Sequence, residues 1–191
     1  MASCLPIFSV FIALSLLSNL TLSKPREARS TLRKVCRVTR YPDLCMQSLA
    51  PYAGEEKPNP SAWARAGVSV ALGEVKSVAR YLRKLEQQRR SIGGGRNRVA
   101  LRDCIECFGD AIDNLHRSLG ILRRLDGKGF GGMLSDLETW VSAALTDQDT
   151  CLDGFPRQPK QRVFRTLHRR VLRASWMTSN ALALINKLAA P

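Results

Sequence analysis

The sequence predicts an all-α protein, an antiparallel four-helix bundle carrying a helical hairpin at its N-terminus. Three observations lead there. Four segments of similar length repeat apolar residues at alternating spacings of three and four, separated by short Gly- or Pro-rich connectors. No segment alternates apolar and polar residues between hairpin turns, as a half-buried strand would. Three Trp, three Tyr and six Phe are few for a β-sandwich of 191 residues. A 45% hydrophobic fraction excludes both a disordered chain and a membrane-embedded bundle, and the length suits one compact domain.

Residues 1–23 contain no charge, and Lys24 is the first charged residue. The run Leu5–Leu22 is apolar but broken by Ser9, Ser15, Ser18 and Asn19, and Thr21 and Ser23 stand at −3 and −1 of a cut before Lys24. That pattern reads as a secretory signal peptide. As an uncleaved anchor the stretch would be polar and short. No later apolar run is long enough to span a bilayer, so the mature chain is expected to be soluble, with no membrane contact once the signal is removed. It would keep five cysteines, Cys36, Cys45, Cys104, Cys107 and Cys151, which in an oxidising compartment suggests two disulfides and one free thiol.

Residues 24–60 divide into a solvated start (24–29), two short apolar-periodic pieces (31–39 and 43–52) split by Tyr41-Pro42, and a linker from Gly54 to Pro60. Cys36 and Cys45 flank the split, as a small helical hairpin closed by its own disulfide would require. Loop closure of that size contributes roughly 2.7 kcal/mol. Residues 61–191 hold the bundle. Ser61 is the expected N-cap of a first long helix reaching about Arg90, with Val68, Leu72, Val75, Ala79, Leu82 and Leu85 on one stripe. The second shows Leu101, Ile105, Phe108, Ile112, Leu115, Leu119 and Leu122; the third Leu134, Leu137, Val141, Ala144, Gln148 and Cys151; the fourth, over 161–189, Phe164, Leu167, Val171, Ala174, Thr178, Ala181, Ile185 and Leu188. Gly93–Gly95, Gly127–Gly132 and Gly154 with Pro156 punctuate them.

Few residues here suit chemistry. Cys104 and Cys107 form a CxxC, but no strand precedes it, as a redox pair would want, and no further ligands complete a zinc site. One of the two is better read as a partner of Cys151, tying the second long helix to the third. Both lie near the core edge, so periodicity leaves open which. Nucleophile elbows, phosphate loops and HExxH are absent, Gly93–Gly95 being a linker, and no cofactor is called for.

Charge is more informative. Thirty Lys+Arg stand against 16 Asp+Glu, for a net charge of +14. Against that background Glu106, Asp110 and Asp113 are spaced i, i+4, i+7, so three carboxylates share one helix face beside the apolar stripe. They fit an ordinary solvated face or a docking edge; glycosidase acid–base work is excluded, because a convex helix has no cleft. The basic residues cluster at Arg80/Arg83/Lys84/Arg89/Arg90, at Arg117/Arg123/Arg124 and at Lys160/Arg162/Arg165/Arg169/Arg170/Arg173. They suit either plain solubility or a polyanionic wall polysaccharide; nucleic acid is not expected, since no motif for it occurs.

Several spaced motifs then stand together: Cys36 and Cys45 around Thr39-Arg40-Tyr41-Pro42, Leu101–Glu106, Asp110–Asp113, Thr139–Thr146 leading to Thr150-Cys151, and Thr178–Ile185. In this order they resemble the plant invertase/pectin methylesterase inhibitor family, from about residue 30 to 188. The resemblance implies a four-helix bundle with an N-terminal hairpin and disulfides Cys36–Cys45 and Cys104–Cys151, which leaves Cys107 as the free thiol. It implies a secreted protein of the apoplast or cell wall that is not an enzyme and blocks the cleft of a cell-wall enzyme one to one. Invertase inhibitors of the family carry Pro-Lys-Phe between the second and third bundle helices. Here that loop reads Asp126-Gly127-Lys128-Gly129-Phe130. The Thr139–Thr146 run looks like the pectin methylesterase branch, whose enzyme-contacting positions fall on Glu106, Asp110, Asp113 and Thr150. The expected partner is therefore pectin methylesterase, with anionic pectin as a second partner of the basic surface. Invertase inhibition and pure cationic polysaccharide binding are the alternatives. A similar domain precedes pectin methylesterase catalytic parts, for which a chain stopping at Pro191 leaves no room.

Overall fold

Glu27, Ala28 and Arg29 are good helix formers, and α1 occupies 26–36, beginning inside the stretch expected to be a solvated start. Its exposed first turn leads to Leu32 and Cys36, both buried. The computed structural model describes residues 26–54, 59–88, 94–124, 131–155 and 162–189, so the expected signal peptide lies outside the described residues. A disulfide from Cys36 to Cys45 closes the turn between α1 and α2 (Pro42–Leu49), and a 3₁₀ turn follows over Ala50–Tyr52. Pro42 opens α2, where the missing N–H costs nothing.

The hairpin is held to the bundle by one buried amide. The Tyr41 N–H donates to Asn180 Oδ1 at 3.0 Å, and Asn180 Nδ2 donates to the Tyr41 carbonyl at 2.9 Å. One asparagine thus satisfies both backbone groups at the hairpin turn. Asn180→Ala removes both bonds, and we expect a loss of about 1–3 kcal/mol, read as a lower urea midpoint with helix content retained.

The first long helix, α3 (Pro60–Gln87), is capped by Asn59 and not by Ser61. Asn59 Oδ1 accepts from the Ser61 N–H at 3.0 Å and from the Ser61 hydroxyl at 2.9 Å. Pro60 stands at the first helical position, which moves the start one residue ahead of the expected one. Its predicted stripe, Val68 to Leu85, is buried throughout. Arg89 and Arg90 lie outside the described residues.

Helix α4 (Gly95–Leu122) starts from Gly94, so part of the expected linker is helical. It is also rotated from the predicted seam. Leu101, Phe108, Leu115, Leu119 and Leu122 are buried, but Ile105 and Ile112 are only half-buried, and Cys104, Ala111 and Ser118 take inner positions. These small residues let α4 come close to its neighbour, with Cys104 and Cys151 Cα atoms 4.3 Å apart across their disulfide. Helix α5 (Gly131–Asp153) begins inside the glycine connector, and α6 (Arg162–Ala189) completes the bundle.

Helix α3 packs on α4 and α6, and α5 packs on the same two, so the four stand at the corners of a square. The α4/α5 pair forms one edge and α3/α6 the opposite one. The hairpin's α2 rests on α3 and α6. Gly67 sits at a close α3–α6 approach, where an added Cβ would lie 2.9 Å from Leu184 Cδ1. Two residues of the apolar stripes are polar and fully buried: Gln148 Nε2 donates to Thr178 Oγ1 at 3.0 Å, joining α5 to α6 inside the core.

Candidate functional site

Charge is sorted by edge. Helix α6 carries Arg162, Arg165, Arg169, Arg170, Arg173 and Lys187 and no Asp or Glu. Helix α5 carries Asp136, Glu138, Asp147, Asp149 and Asp153 and no Lys or Arg. Helix α3 is basic in balance, whereas α4 from Asp103 to Asp113 holds only acidic charges. A chain with a net charge of +14 is therefore uneven in charge, acidic along α5 and over Asp103–Asp113 of α4, with Arg96, Arg98, Arg102 and Arg117 elsewhere on α4, and basic along α3/α6. A cationic partner is drawn to the acidic region.

Glu106, Asp110 and Asp113 are all exposed on α4. Among the described residues, none of the three has a hydrogen-bond or ion-pair partner, the ion pair present being Arg173 with Glu74 at 3.6 Å. Helical periodicity puts Glu106 and Asp113 on the outer crest and turns Asp110 toward α5. There it meets Asp147, whose Oδ2 accepts from Asn114 Nδ2 at 3.4 Å. Thr150 is exposed on α5 one turn from Asp147, and its hydroxyl donates to the Thr146 carbonyl at 2.9 Å, which fixes the side chain against its own helix.

The acidic edge is thus built from two helices. Asp103 and Asp147 belong to it, and neither was singled out from sequence. Asp103 continues the α4 row and was visible to the same spacing rule, being seven residues before Asp110. Asp147 needs the α4–α5 pairing, which spacing on one helix does not supply. Burial pushes the Asp147 carboxyl up, the Asp110 charge adds to this, and the Asn114 hydrogen bond opposes it.

The sign of that shift sets a pH dependence. The folded chain holds the Asp147 proton to higher pH than the unfolded chain does, so stability falls as pH rises from the ordinary carboxylate value through the raised one. Asp147→Asn removes the charge and keeps the shape. Its urea midpoint should exceed the wild-type value at neutral pH and converge with it in acid; a constant offset at every pH would contradict the assignment.

Among the described residues Cys107 is the free thiol, half-buried in the same seam. Burial pushes it up first, Asp147, Asp110 and Asp103 push it further and a backbone hydrogen bond opposes them, so the thiol is favoured over the thiolate at neutral pH. Its CxxC neighbour Cys104 is consumed in the bond to Cys151. Among the described residues no group of three His, Cys, Asp or Glu could hold a metal ion. No helix among them is long and apolar enough to cross a membrane. The loop from Asp126 to Phe130 lies outside the described residues.

Residues 30–184 match the family described as plant invertase/pectin methylesterase inhibitor. This chain belongs to that family. It is 46% identical over 159 residues to pectinesterase inhibitor 6 of Arabidopsis thaliana, across 83% of this chain and 75% of that one. It is 38% identical over 164 residues to pectinesterase inhibitor 10 of the same plant, across 83% of this chain and 51% of the relative. Among solved structures, a mutant form of a pectin methylesterase inhibitor from Arabidopsis aligns with a TM-score of 0.60 at 23% identity, covering 80% of this chain and 93% of that one. The likeness shows the shared helical fold.

Proposed function

We propose that this chain is a secreted, non-enzymatic inhibitor of pectin methylesterase, which it binds one to one and whose substrate cleft it covers with the α4/α5 edge. The identity to pectinesterase inhibitor 6 supports the enzyme class. The observation that carries the surface is the row of exposed carboxylates Glu106, Asp110 and Asp113, without partners among the described residues, on a molecule of net charge +14. Mounted on a helix, these groups need little reordering on binding, which keeps the entropic cost low. A helix of 28 residues spans roughly 42 Å, enough to lie along a polysaccharide groove. Inhibition is then occlusion, with complementary charge setting register and association rate. Thr150 would stand at one end of this edge. Residues 1–23 serve as the signal peptide, and anionic pectin is the second partner class.

The test is a titration of purified pectin methylesterases with the disulfide-intact protein at mildly acidic pH, with an acid invertase alongside. Esterase activity should fall to zero at one equivalent while the invertase is unaffected. Loss of invertase activity alone would move the function to the Asp126–Phe130 loop, and an unchanged esterase would refute the proposal.

A further inference from the structure

The basic edge carries more than charge. Arg162, Arg165, Arg169, Arg173 and Trp176 are all exposed and fall within one narrow stripe of α6. From Arg162 to Trp176 the stripe runs about 21 Å. Trp176 is 39% exposed although it is the bulkiest apolar side chain available. Its ring stacks on Tyr41 of the hairpin turn with centroids 5.2 Å apart, and the Arg40 guanidinium lies 5.8 Å above the Tyr41 ring. The bidentate Asn180 bonds fix that turn in place. Beside the stripe, Arg170 sits 4.8 Å over Tyr81 of α3, and Arg80 and Lys84 are exposed on α3 at the same level. The surface is therefore a row of guanidinium groups ending in a fixed aromatic platform.

We propose that this α6 stripe, with Trp176, Tyr41 and Arg40 at its end, binds a polyuronate: de-esterified galacturonan, the carboxylate-bearing product of the enzyme assigned above. The choice of polymer rests on that proposed function; the surface itself does not. Guanidinium groups pair with carboxylates in a planar, two-pronged fashion, and a methyl ester removes the charge they recognise. An exposed aromatic ring offers a flat apolar face to the C–H side of a pyranose. Because this stripe and the carboxylate edge lie on opposite sides of the square, the polymer and the enzyme would occupy one inhibitor together. The inhibitor would then be held where ester groups have already been removed.

The experiment measures binding of the disulfide-intact chain to oligogalacturonate, to the same oligomer fully methyl-esterified, and to single-stranded DNA, over a salt series without esterase. Oligogalacturonate should bind with a salt-dependent affinity, and the esterified oligomer at least about ten-fold more weakly. Arg162→Glu/Arg169→Glu leaves the Arg173–Glu74 and Arg170–Tyr81 contacts intact and should weaken binding about ten-fold or more. Trp176→Ala should weaken it roughly five-fold and Trp176→Phe less, as a stacking contact requires. Arg117→Glu/Arg123→Glu, the same charge change on α4, should leave it within about two-fold of wild type.

Equal losses from the α4 and α6 pairs would reduce the effect to net charge and overturn the proposal. So would equal binding of esterified oligomer, or tighter binding of DNA. Esterase inhibition is read separately: oligogalacturonate binding without inhibition would sink the proposed function and spare the surface, and inhibition without binding would do the reverse.

Discussion

Asp110→Lys/Asp113→Lys should cost at least about a hundred-fold in esterase inhibition, the largest functional effect expected of any surface change on this molecule. Both carboxylates are exposed and have no partner among the described residues, so nothing in the fold depends on them. The free protein should unfold within about 0.5 kcal/mol of wild type, as surface substitutions do. Relief of repulsion between Asp110 and Asp147 gives that small change a stabilising sign. On the enzyme side the effect is large, because each reversed charge both loses its cationic partner and is left facing it with like sign. Asp110→Ala/Asp113→Ala should lie between, since it removes the attraction without adding the clash. Arg162→Glu/Arg169→Glu, a charge change of the same size on the far side of the bundle, should leave inhibition within a few-fold. Inhibition constants measured at two salt concentrations check the series. A hundred-fold loss that vanished at high salt would reassign the carboxylates from contact to steering.

The second large effect is on stability. Cys104→Ala/Cys151→Ala opens a loop with a sequence separation of 47, whereas Cys36→Ala/Cys45→Ala opens one of 9. Loop-closure entropy puts the first at about 4 kcal/mol and the second at roughly 2.7. Against the 5–15 kcal/mol or so that stabilises a typical domain, about 4 is a large part, and at ~2–4 °C per kcal/mol the melting temperature should fall by about 8–16 °C. The two variants also differ in place. Cys104 and Cys151 are buried in the seam that carries the acidic edge, so their loss loosens α4 against α5 where inhibition is expected to reside. The hairpin disulfide lies across the molecule beside α6, and its loss should spare inhibition while weakening the anchorage of Tyr41 against Trp176. Thermal unfolding of the two double variants gives the order; a hairpin variant less stable than the bundle variant would contradict it.

The fold was legible in the sequence because helices announce themselves by period. The stripes of α3, α5 and α6 land on the core and most of that of α4 does, and the Gly and Pro punctuation lies at or next to their ends. Boundaries were less legible, for local reasons. Asn59 beat Ser61 to the cap because Pro60 is well placed at the first helical position, and Gly94 and Gly131 were absorbed into or against helices instead of separating them. The rotation of α4 escaped the pattern because Cys104, Ala111 and Ser118 score as small or polar, yet small residues are what close packing against α5 needs. Gln148 and Thr178 were placed correctly on their stripes, but that they satisfy each other is a tertiary fact.

The acidic edge was half visible. Glu106, Asp110 and Asp113 share one helix, so spacing finds them. Asp147 arrives from a helix more than thirty residues later, and only the α4–α5 pairing brings it to Asn114 and Asp110. The uneven charge arrangement was hidden for the same reason. The sequence shows basic clusters in three places, and the square arrangement of helices brings two of them to the α3/α6 edge, leaves the third at the C-terminal end of α4 and sets the Asp103–Asp113 row beside the acidic α5. Asn180 had no signal beyond its place in a family motif, since its role depends on a backbone turn 139 residues away.

The central claim is that the α4/α5 edge is what the enzyme touches. Carboxyl footprinting tests it most directly: the protein, free and in complex with an inhibited pectin methylesterase, is labelled with a carbodiimide and an amine and read by mass spectrometry. Glu106, Asp110 and Asp113 should lose labelling in the complex, while Glu27 and Asp43 of the hairpin keep theirs. Unchanged labelling of the three α4 carboxylates in a stoichiometric, inactive complex would contradict it.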